Sequence, residues 1–375
     1  MGLPEEEEGN RPGAGAGTGL KKAPVSRMYF LDNLKVFLTV LVVFHHAAQP
    51  YGPGGGWWIA PEPFSTLDYV ILGIFMAVNA SFFMGLYFMI SASFVPSSLE
   101  RKGAARFMKD RLVKLGVPIL VFMIIVFPVM GLLLEGQPSI TLGHLWFLAL
   151  LLIFSAVYVA RWRVTKPSSG VKRAFPGTVT IVAFAVVMAL ATFAVAVWSP
   201  ENQWLPLGLS EPFHLTQYAL LFAAGIIAYR EGWIDTIPRT AAKLWSRVAI
   251  LLVVVLLFIG SVTNSTEFSG GLTLASLLGT FWEAFMCVSM CIALLALFRH
   301  RFNSQSPVAK ALADNAFTVY LIHIPIVVFL QYTLIGAAID PLIKFVIVGT
   351  TGVILAFATS HYVIRRLPYA DRILG

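Results

Sequence analysis

Ten long apolar runs divide this chain of 375 residues, and they constrain its fold more than any other feature. They cover approximately residues 29–50, 67–95, 112–134, 143–160, 176–198, 212–230, 246–263, 271–298, 316–333 and 341–364. Each is near the ~20 residues that an α-helix needs to cross a bilayer. Only 12% of the residues are charged, against about 25% in soluble domains. We therefore predict an all-α integral membrane protein, a bundle of about ten transmembrane helices.

The positions of Lys and Arg predict the orientation of this bundle. Of the 27 Lys and Arg residues, all but Lys35 and Lys344 lie in the termini or at one set of alternate loops. Cytosolic loops are enriched in basic residues, so both termini are predicted to be cytosolic. The net charge of +8 then reflects topology and contact with anionic lipid, and nucleic acid is not an expected partner.

The first residues differ in composition from the rest of the chain. Residues 1–27 are acidic and then rich in Gly and Ala, which predicts a disordered cytosolic tail before a single membrane domain at 28–375. Cys287 and Cys291 lie one helical turn apart and are expected to pack as small apolar residues. The sequence contains no zinc-ligand spacing and no glycine-rich phosphate loop, so no metal site is expected.

Ionisable residues inside the runs mark a candidate site. Positions 35 and 46 are eleven residues apart, so Lys35 and His46 share a face of the first helix, about 16 Å apart along its axis. Polar groups near the outer side are His45, His46, Trp57, Trp58, Asp68, His144, Trp146, Trp198, Trp204 and His214. Those near the inner side are Asp32, Lys35, Arg106, Arg111, Lys114, Asn315, Tyr320 and His323. Glu283 falls near the middle of the eighth run, where a carboxylate is costly unless it has a function or a partner.

Structural interpretations of these residues stay open. Lys35 could extend to the headgroups or pair with Asp32 across one helical turn. His144, His214 and His323 could each be hydrogen-bonded packing residues between helices. The tryptophans at the ends of the runs are also typical of a membrane-interface belt.

Four segments resemble the acyltransferase-3 family of integral membrane acyltransferases. YFLDNLKVFLTVLVVFHH has the basic residue, ten residues and His of the first span, with Lys35 in place of the commoner Arg. RFMKDRLVKLGVP is similar to the family's basic inner loop, GHLWFLALLL contains His144 and Trp146, and AFTVYLIHIPIVV contains Tyr320 and His323. The first three segments look most like the branch that acylates periplasmic glucans. FMISASF departs from the Ser-Gly-Tyr ending that is frequent in the second span.

The resemblance implies transfer of an acyl group, acetyl or succinyl, from cytosolic acyl-CoA to a hydroxyl of an extracytoplasmic carbohydrate or glycolipid. The protein would then be a multi-pass protein of a bacterial inner membrane, with no permanently bound cofactor. The expected donor residues are Arg106, Arg111, Lys114, Tyr320 and His323. The expected acceptor residues are His144, Trp146, Trp57 and Asp68.

The expected catalytic residues are His46, Lys35 and Glu283. A neutral imidazole with its ordinary pKa of about 6.5 suits a general base, and His46 would take the proton of the acceptor hydroxyl. Glu283 or Asp68 would orient the ring, and Lys35 would stabilise the donor or fix the helix near it. An acyl-His intermediate is a less economical route.

Two other functions fit parts of the pattern. A transporter or flippase for a glycolipid or small anion would also need many spans and intramembrane charges. A scaffold or sensor in envelope assembly would leave Lys35, His46 and Glu283 without a role.

Overall fold

Helices make up nearly all of the computed structural model, which describes residues 2, 28–54, 57–165, 172–201, 203–262, 270–368 and 370–374. In chain order they are α1 (Tyr29–Ala48), α2 (Thr66–Ser93), α3 (Val95–Lys102), α4 (Ala104–Glu135), α5 (Trp146–Thr165), α6 (Thr178–Ala196), α7 (Pro212–Glu231), α8 (Arg239–Val262), α9 (Leu274–Arg301), α10 (Pro307–Thr333), α11 (Pro341–Tyr362) and α12 (Ala370–Leu374). No strand occurs in these residues, which confirms the all-α prediction. The tail predicted at 1–27 lies outside the described residues, apart from Gly2.

Each predicted run corresponds to one of the long helices. Within the described residues, nine helical segments are long and apolar enough to cross a membrane, and α2 and α3 together form one of them. The helix outside this set is α7, which has 20 residues. It carries polar side chains such as His214 and Gln217 within its span. Its length therefore suits a crossing while its composition is less apolar than that of the others.

Contacts between loops define two faces of the bundle, which we call outer and inner after the orientation predicted from the sequence. The outer face bears the loop after α1, where Glu62 forms an ion pair of 2.6 Å with buried Lys344 at the start of α11. The inner face bears the loop after α9, where Asn33 donates to the carbonyl oxygen of Ser304 at 3.0 Å. The segment before α7 contacts the outer loop after α4, and the end of α7 contacts the inner loop before α6. The two ends of α7 therefore lie on opposite faces.

The first helix occupies the centre of the bundle and so positions the candidate site. It packs against α2, α9, α10 and α11, and Leu31, Leu34 and Leu38 on it are fully buried. Beside it, α2 packs closely on α7, because a Cβ at Gly225 would lie 2.1 Å from the carbonyl oxygen of Met89. Such close approach at small residues is typical of helix packing in membranes.

Proline residues disturb the hydrogen-bond ladder of α4. There are two π-type stretches, Leu112–Gly116 and Phe122–Val126. Each ends two residues before a proline, Pro118 for the first and Pro128 for the second. A proline has no N–H to donate to the carbonyl four residues earlier, so the ladder shifts locally. The first of these stretches contains Lys114, one of the expected donor residues.

Candidate active site

The outer end of α1 places His46 in a chain of two nearly coplanar imidazoles. His46 Nδ1 lies 2.8 Å from His323 Nε2, and the two rings are inclined by 16°. His323 Nδ1 lies 2.7 Å from the carbonyl oxygen of Tyr320. A carbonyl only accepts, so His323 Nδ1 carries the proton and, in the neutral ring, Nε2 accepts from His46 Nδ1. His46 is therefore held with its Nε2 lone pair available.

A third histidine, His144, lies beside this pair because of a proline in α10. Pro325 cannot donate to the carbonyl of Leu321, four residues earlier. His144 Nε2 lies 3.0 Å from that carbonyl oxygen and donates to it. The rings of His144 and His323 are 4.9 Å apart at 75°. The hydroxyl of Tyr320 donates in turn to the His144 carbonyl. We call His46, His323 and His144 the outer histidine cluster.

Trp57 and Gln331 complete the surroundings of His46. The Trp57 ring lies 5.2 Å from the His46 ring and within 14° of parallel. The Trp57 indole N–H donates to Gln331 Oε1 at 2.7 Å. Gln331 is fully buried and donates to the carbonyl oxygen of His46 at 2.9 Å. One amide therefore fixes both the indole and the end of α1.

His45 faces a different environment from its neighbour. Its ring lies 5.0 Å from that of Phe83, and Nδ1 is buried with no hydrogen-bond partner in the described part of the chain. A buried nitrogen without a partner is poorly suited to becoming charged. The geometry therefore distinguishes His46 from His45.

At the inner end of α1, Lys35 contacts Asp32 rather than the outer histidine cluster. The ion pair measures 2.8 Å, and the ammonium lies 5.4 Å from the centre of the Phe94 ring. The Lys35 carbonyl oxygen accepts from the hydroxyls of Tyr87 and Thr39, both at 2.9 Å. The local pairing with Asp32 that the sequence allowed is therefore present.

Several cations surround Lys114 on the inner face. Its neighbours within electrostatic range are Lys35, Arg111, Arg365 and Lys102. With Lys114 they form what we call the inner basic cluster. Arg111 lies 5.2 Å from the centre of the Phe107 ring, and Lys114 lies 5.3 Å from that of Phe317. Arg106, also expected here, has an exposed side chain on α4.

A third polar group on the outer face is centred on His214 at the start of α7. Its Nδ1 lies 2.9 Å from Glu211 and its Nε2 lies 2.9 Å from Glu283. A carboxylate beside each ring nitrogen favours the doubly protonated imidazolium. In the loop before α7, burial raises the pKa of Glu201 to about 7; the His214 charge opposes this shift, and Glu283 and Glu211 add to it.

The aromatic residues near His214 separate two groups of predicted acceptor residues. Trp146 stacks on Tyr218 at 5.2 Å, and Tyr218 lies 5.9 Å from His214. His144, two residues before Trp146, instead belongs to the outer histidine cluster. Two of the predicted acceptor residues, Trp57 and His144, therefore lie near His46. A third, Trp146, lies near His214.

The structure places three sets of residues differently from the sequence expectations. His323 and Tyr320 do not lie with the donor cations, because His323 belongs to the outer histidine cluster and Tyr320 contacts His144 in it. The group on His46 Nδ1 is an imidazole and not a carboxylate: Glu283 lies against His214. Asp68 is buried at the start of α2, where it forms a capping box with Ser65. The partners of His323 and Glu283 could not be read from spacing along one helix, whereas the capping box of Ser65 and Asp68 is a local pattern.

Sequence reasoning missed Gln331, Glu211 and Arg365. Gln331 lies eight residues after His323 on α10, a spacing that places both on one helical face. This spacing was a usable signal. Glu211 precedes Pro212 at the start of α7 and lies three residues before His214, which also predicts contact. Arg365 was counted only among the basic residues of the C-terminus. No group of three His, Cys, Asp or Glu side chains in the described residues is arranged to hold a metal ion.

Comparison with known proteins identifies one family. Residues 28–361 match a family model described as an acyltransferase domain, Acyl_transf_3. The match begins before α1 and ends at the last residue but one of α11, and it includes all the residues of the three polar groups described above except Arg365. No curated protein is significantly similar in sequence to this chain. No solved structure is significantly similar either.

Proposed function

This chain belongs to the acyltransferase-3 family, and we propose that it is an O-acyltransferase with an acyl-CoA donor. The acyl group, acetyl or succinyl, passes from cytosolic acyl-CoA to a hydroxyl of an extracytoplasmic carbohydrate or glycolipid. The observation that carries the proposal is the His46–His323 pair. Its hydrogen bonds supply a base whose lone pair is available at Nε2.

His46 acts as the general base in this mechanism. Its Nε2 takes the proton of the acceptor hydroxyl while the oxygen attacks the thioester carbonyl. The tetrahedral intermediate collapses, the C–S bond breaks, and the thiolate of CoA takes the proton from Nε2. The products are the ester and free CoA. His323 keeps the proton on His46 Nδ1 throughout, because its own Nδ1 remains bonded to the Tyr320 carbonyl.

The donor approaches from the inner face in this proposal. Arg111 and Lys114 give charge-assisted hydrogen bonds to the phosphates of CoA, as Arg and Lys commonly do. Lys35, at the inner end of α1, lies within electrostatic range of Lys114. The ~16 Å that separate positions 35 and 46 along a helix are comparable to the reach of an extended pantetheine arm. The thioester can therefore approach His46 while the phosphates stay with the inner basic cluster.

The acceptor approaches from the outer face, where Trp57 lies beside His46. An indole suits the apolar face of a sugar ring, whose hydroxyls seek polar partners. We place the protein in a bacterial inner membrane with ten crossings and cytosolic termini. The opposite-face contacts of the two ends of α7 and the basic bias of one set of loops support this arrangement. The periplasmic-glucan branch is the acceptor class that we favour.

The test uses the purified chain reconstituted in proteoliposomes with the inner face outward. Radiolabelled acetyl-CoA or succinyl-CoA is added outside, and a linear or cyclic glucan is enclosed. We expect label on the glucan and free CoA in equal amounts. Glucan or glycolipid that crosses the membrane without acylation would favour a transporter or flippase, and absence of CoA release with every acceptor would refute the proposal.

A further inference from the structure

We propose that Arg365, at the end of α11, binds a phosphate of the acyl-CoA donor and completes the donor site. The inference rests on the proposed acyltransferase function. It adds a residue from the far end of the chain to a donor site whose expected cations, Arg106, Arg111 and Lys114, all lie on α4. The residues that would share the phosphates are Arg111 and Lys114.

Convergence of charge is the first argument. Lys114 has four further cations within electrostatic range, contributed by α1, α3, α4 and the segment after α11. Two of these cations contact carboxylates: Lys35 contacts Asp32 at 2.8 Å and Lys102 contacts Asp110 at 2.5 Å. Like charges brought together repel one another in a partly buried setting. A bound polyanion relieves that repulsion, and CoA is the polyanion that the proposed reaction supplies.

The orientation of Arg365 is the second argument. Its Nη1 donates to the carbonyl oxygen of Asp314 at 2.5 Å, and the side chain is half-buried. A guanidinium has five N–H groups in a planar fork, so one bond to a carbonyl leaves donors for a phosphate. A side chain held in this way loses less conformational entropy when the ligand binds.

The packing of the C-terminal segment is the third argument. Arg365 lies in the short helical turn Ile364–Arg366, and α12 follows it. That helix packs against the π-type stretch Leu112–Gly116, which contains Lys114. Ala370, its first residue, is buried. The segment is therefore docked beside Lys114.

The neighbouring arginine supplies a matched control. Arg366 is exposed and lies 5.6 Å from the centre of the Tyr362 ring. It carries the same charge one position later and is not among the named neighbours of Lys114. If the arginines of this segment serve only the positive-inside bias, the two should be interchangeable. If Arg365 binds phosphate, they should differ.

The experiment measures the Kd of CoA for the purified full chain in a neutral detergent. Arg365→Gln should raise this Kd by about 10–100-fold, the loss of a charge-assisted hydrogen bond. Arg366→Gln should change it by less than about threefold, while Arg111→Ala serves as a reference for a lost donor contact. Repeating the measurement with dephospho-CoA, which lacks the 3′-phosphate, tells which phosphate is bound. If Arg365→Gln no longer raises the Kd of dephospho-CoA, Arg365 binds the 3′-phosphate. If it raises the Kd of both ligands equally, Arg365 binds the pyrophosphate.

The outcomes separate this inference from the proposed function. If wild-type protein does not bind CoA, the proposed function fails. If it binds CoA and the two glutamine variants behave alike, only the assignment of Arg365 fails. If Arg365→Gln reduces retention of phosphatidylglycerol but leaves the Kd of CoA unchanged, Arg365 binds a lipid headgroup and the donor assignment is overturned. If Arg365→Gln does not fold, Arg365→Lys is compared with Arg366→Lys instead. Arg365→Lys should then raise the Kd of CoA by at least about threefold relative to Arg366→Lys.

Discussion

His46 and His214 both lie on the outer face, yet their surroundings give them opposite chemistry. Each ring has a polar partner within 3 Å, at a helix end. The partner of His46 is another imidazole, fixed by a backbone carbonyl. The partners of His214 are two carboxylates, one on each ring nitrogen. His46 therefore keeps a lone pair that can accept a proton, whereas the two carboxylates favour the cationic form of His214, which has no lone pair to offer.

The positions of the two residues on their helices sharpen this contrast. His214 is the third residue of α7, near the positive end of the helix dipole, which disfavours a cation. The carboxylates of Glu211 and Glu283 overcome that effect. His46 lies near the negative end of α1 and remains without a carboxylate partner among the described residues. Partners in the folded bundle, more than position on a helix, decide the protonation state.

The largest expected effect is on catalysis at His46. His46→Ala should lower acyl transfer by about 10²–10⁴-fold with donor binding retained, because the variant loses the general base. His45→Ala should be much milder. The measurement is turnover by matched amounts of folded protein across pH 5 to 9. Near-normal turnover in His46→Ala would end the proposed mechanism.

A comparable effect, on stability and not on chemistry, is expected at His214. His214→Ala leaves the buried Glu211 and Glu283 carboxylates without their cation. Breaking a buried ion pair in this way typically costs about 3–5 kcal/mol in the free energy of unfolding. Thermal unfolding in detergent should show a large fall in Tm. The contrast breaks down if His214→Ala keeps its Tm and loses turnover as His46→Ala does.

A smaller effect is expected from the partner of His46. His323→Leu removes the group that holds the proton on His46 Nδ1 and should lower turnover by about 10–10²-fold, as loss of an orienting partner commonly does. His323→Gln retains a carbonyl oxygen that can accept from Nδ1 and should recover part of the activity. The measurement is turnover across a range of pH, compared between His323→Leu and His323→Gln preparations of equal thermal stability. Equal losses in both would assign His323 to packing alone.

The smallest expected effect is the pH dependence contributed by Glu201. Its pKa is raised by burial to about 7 in the folded chain, above the ordinary value of an unfolded glutamic acid, so folding favours the protonated form. The corresponding stability is fully present below pH 4.5 and declines as the pH rises to about 7. The Tm should therefore fall across this window in wild type and less in Glu201→Gln. If the Tm of both proteins falls equally with pH, Glu201 does not contribute to this pH dependence.

The family match and the spans were accessible from the sequence because they depend on local properties. Apolar length fixes where a helix can cross, so the ten runs correspond to ten helices within a few residues, apart from longer starts such as those of α4 and α8. The face shared by Lys35 and His46 follows from helical periodicity alone. The pairing of Lys35 with Asp32 likewise needs only one turn of the same helix.

The partners between helices were decided only by the tertiary structure. Depth along a helix placed His323 on the inner side, but the packing of α10 against α1 brings it to His46. Glu283 was expected at His46, but α9 presents it to His214 on α7. Hydrogen bonds between helices depend on how the helices rotate and shift against one another, which periodicity does not specify. The sequence alone thus determined that this chain is a helical membrane protein with a candidate base at His46, and the folded bundle decided which groups surround His46.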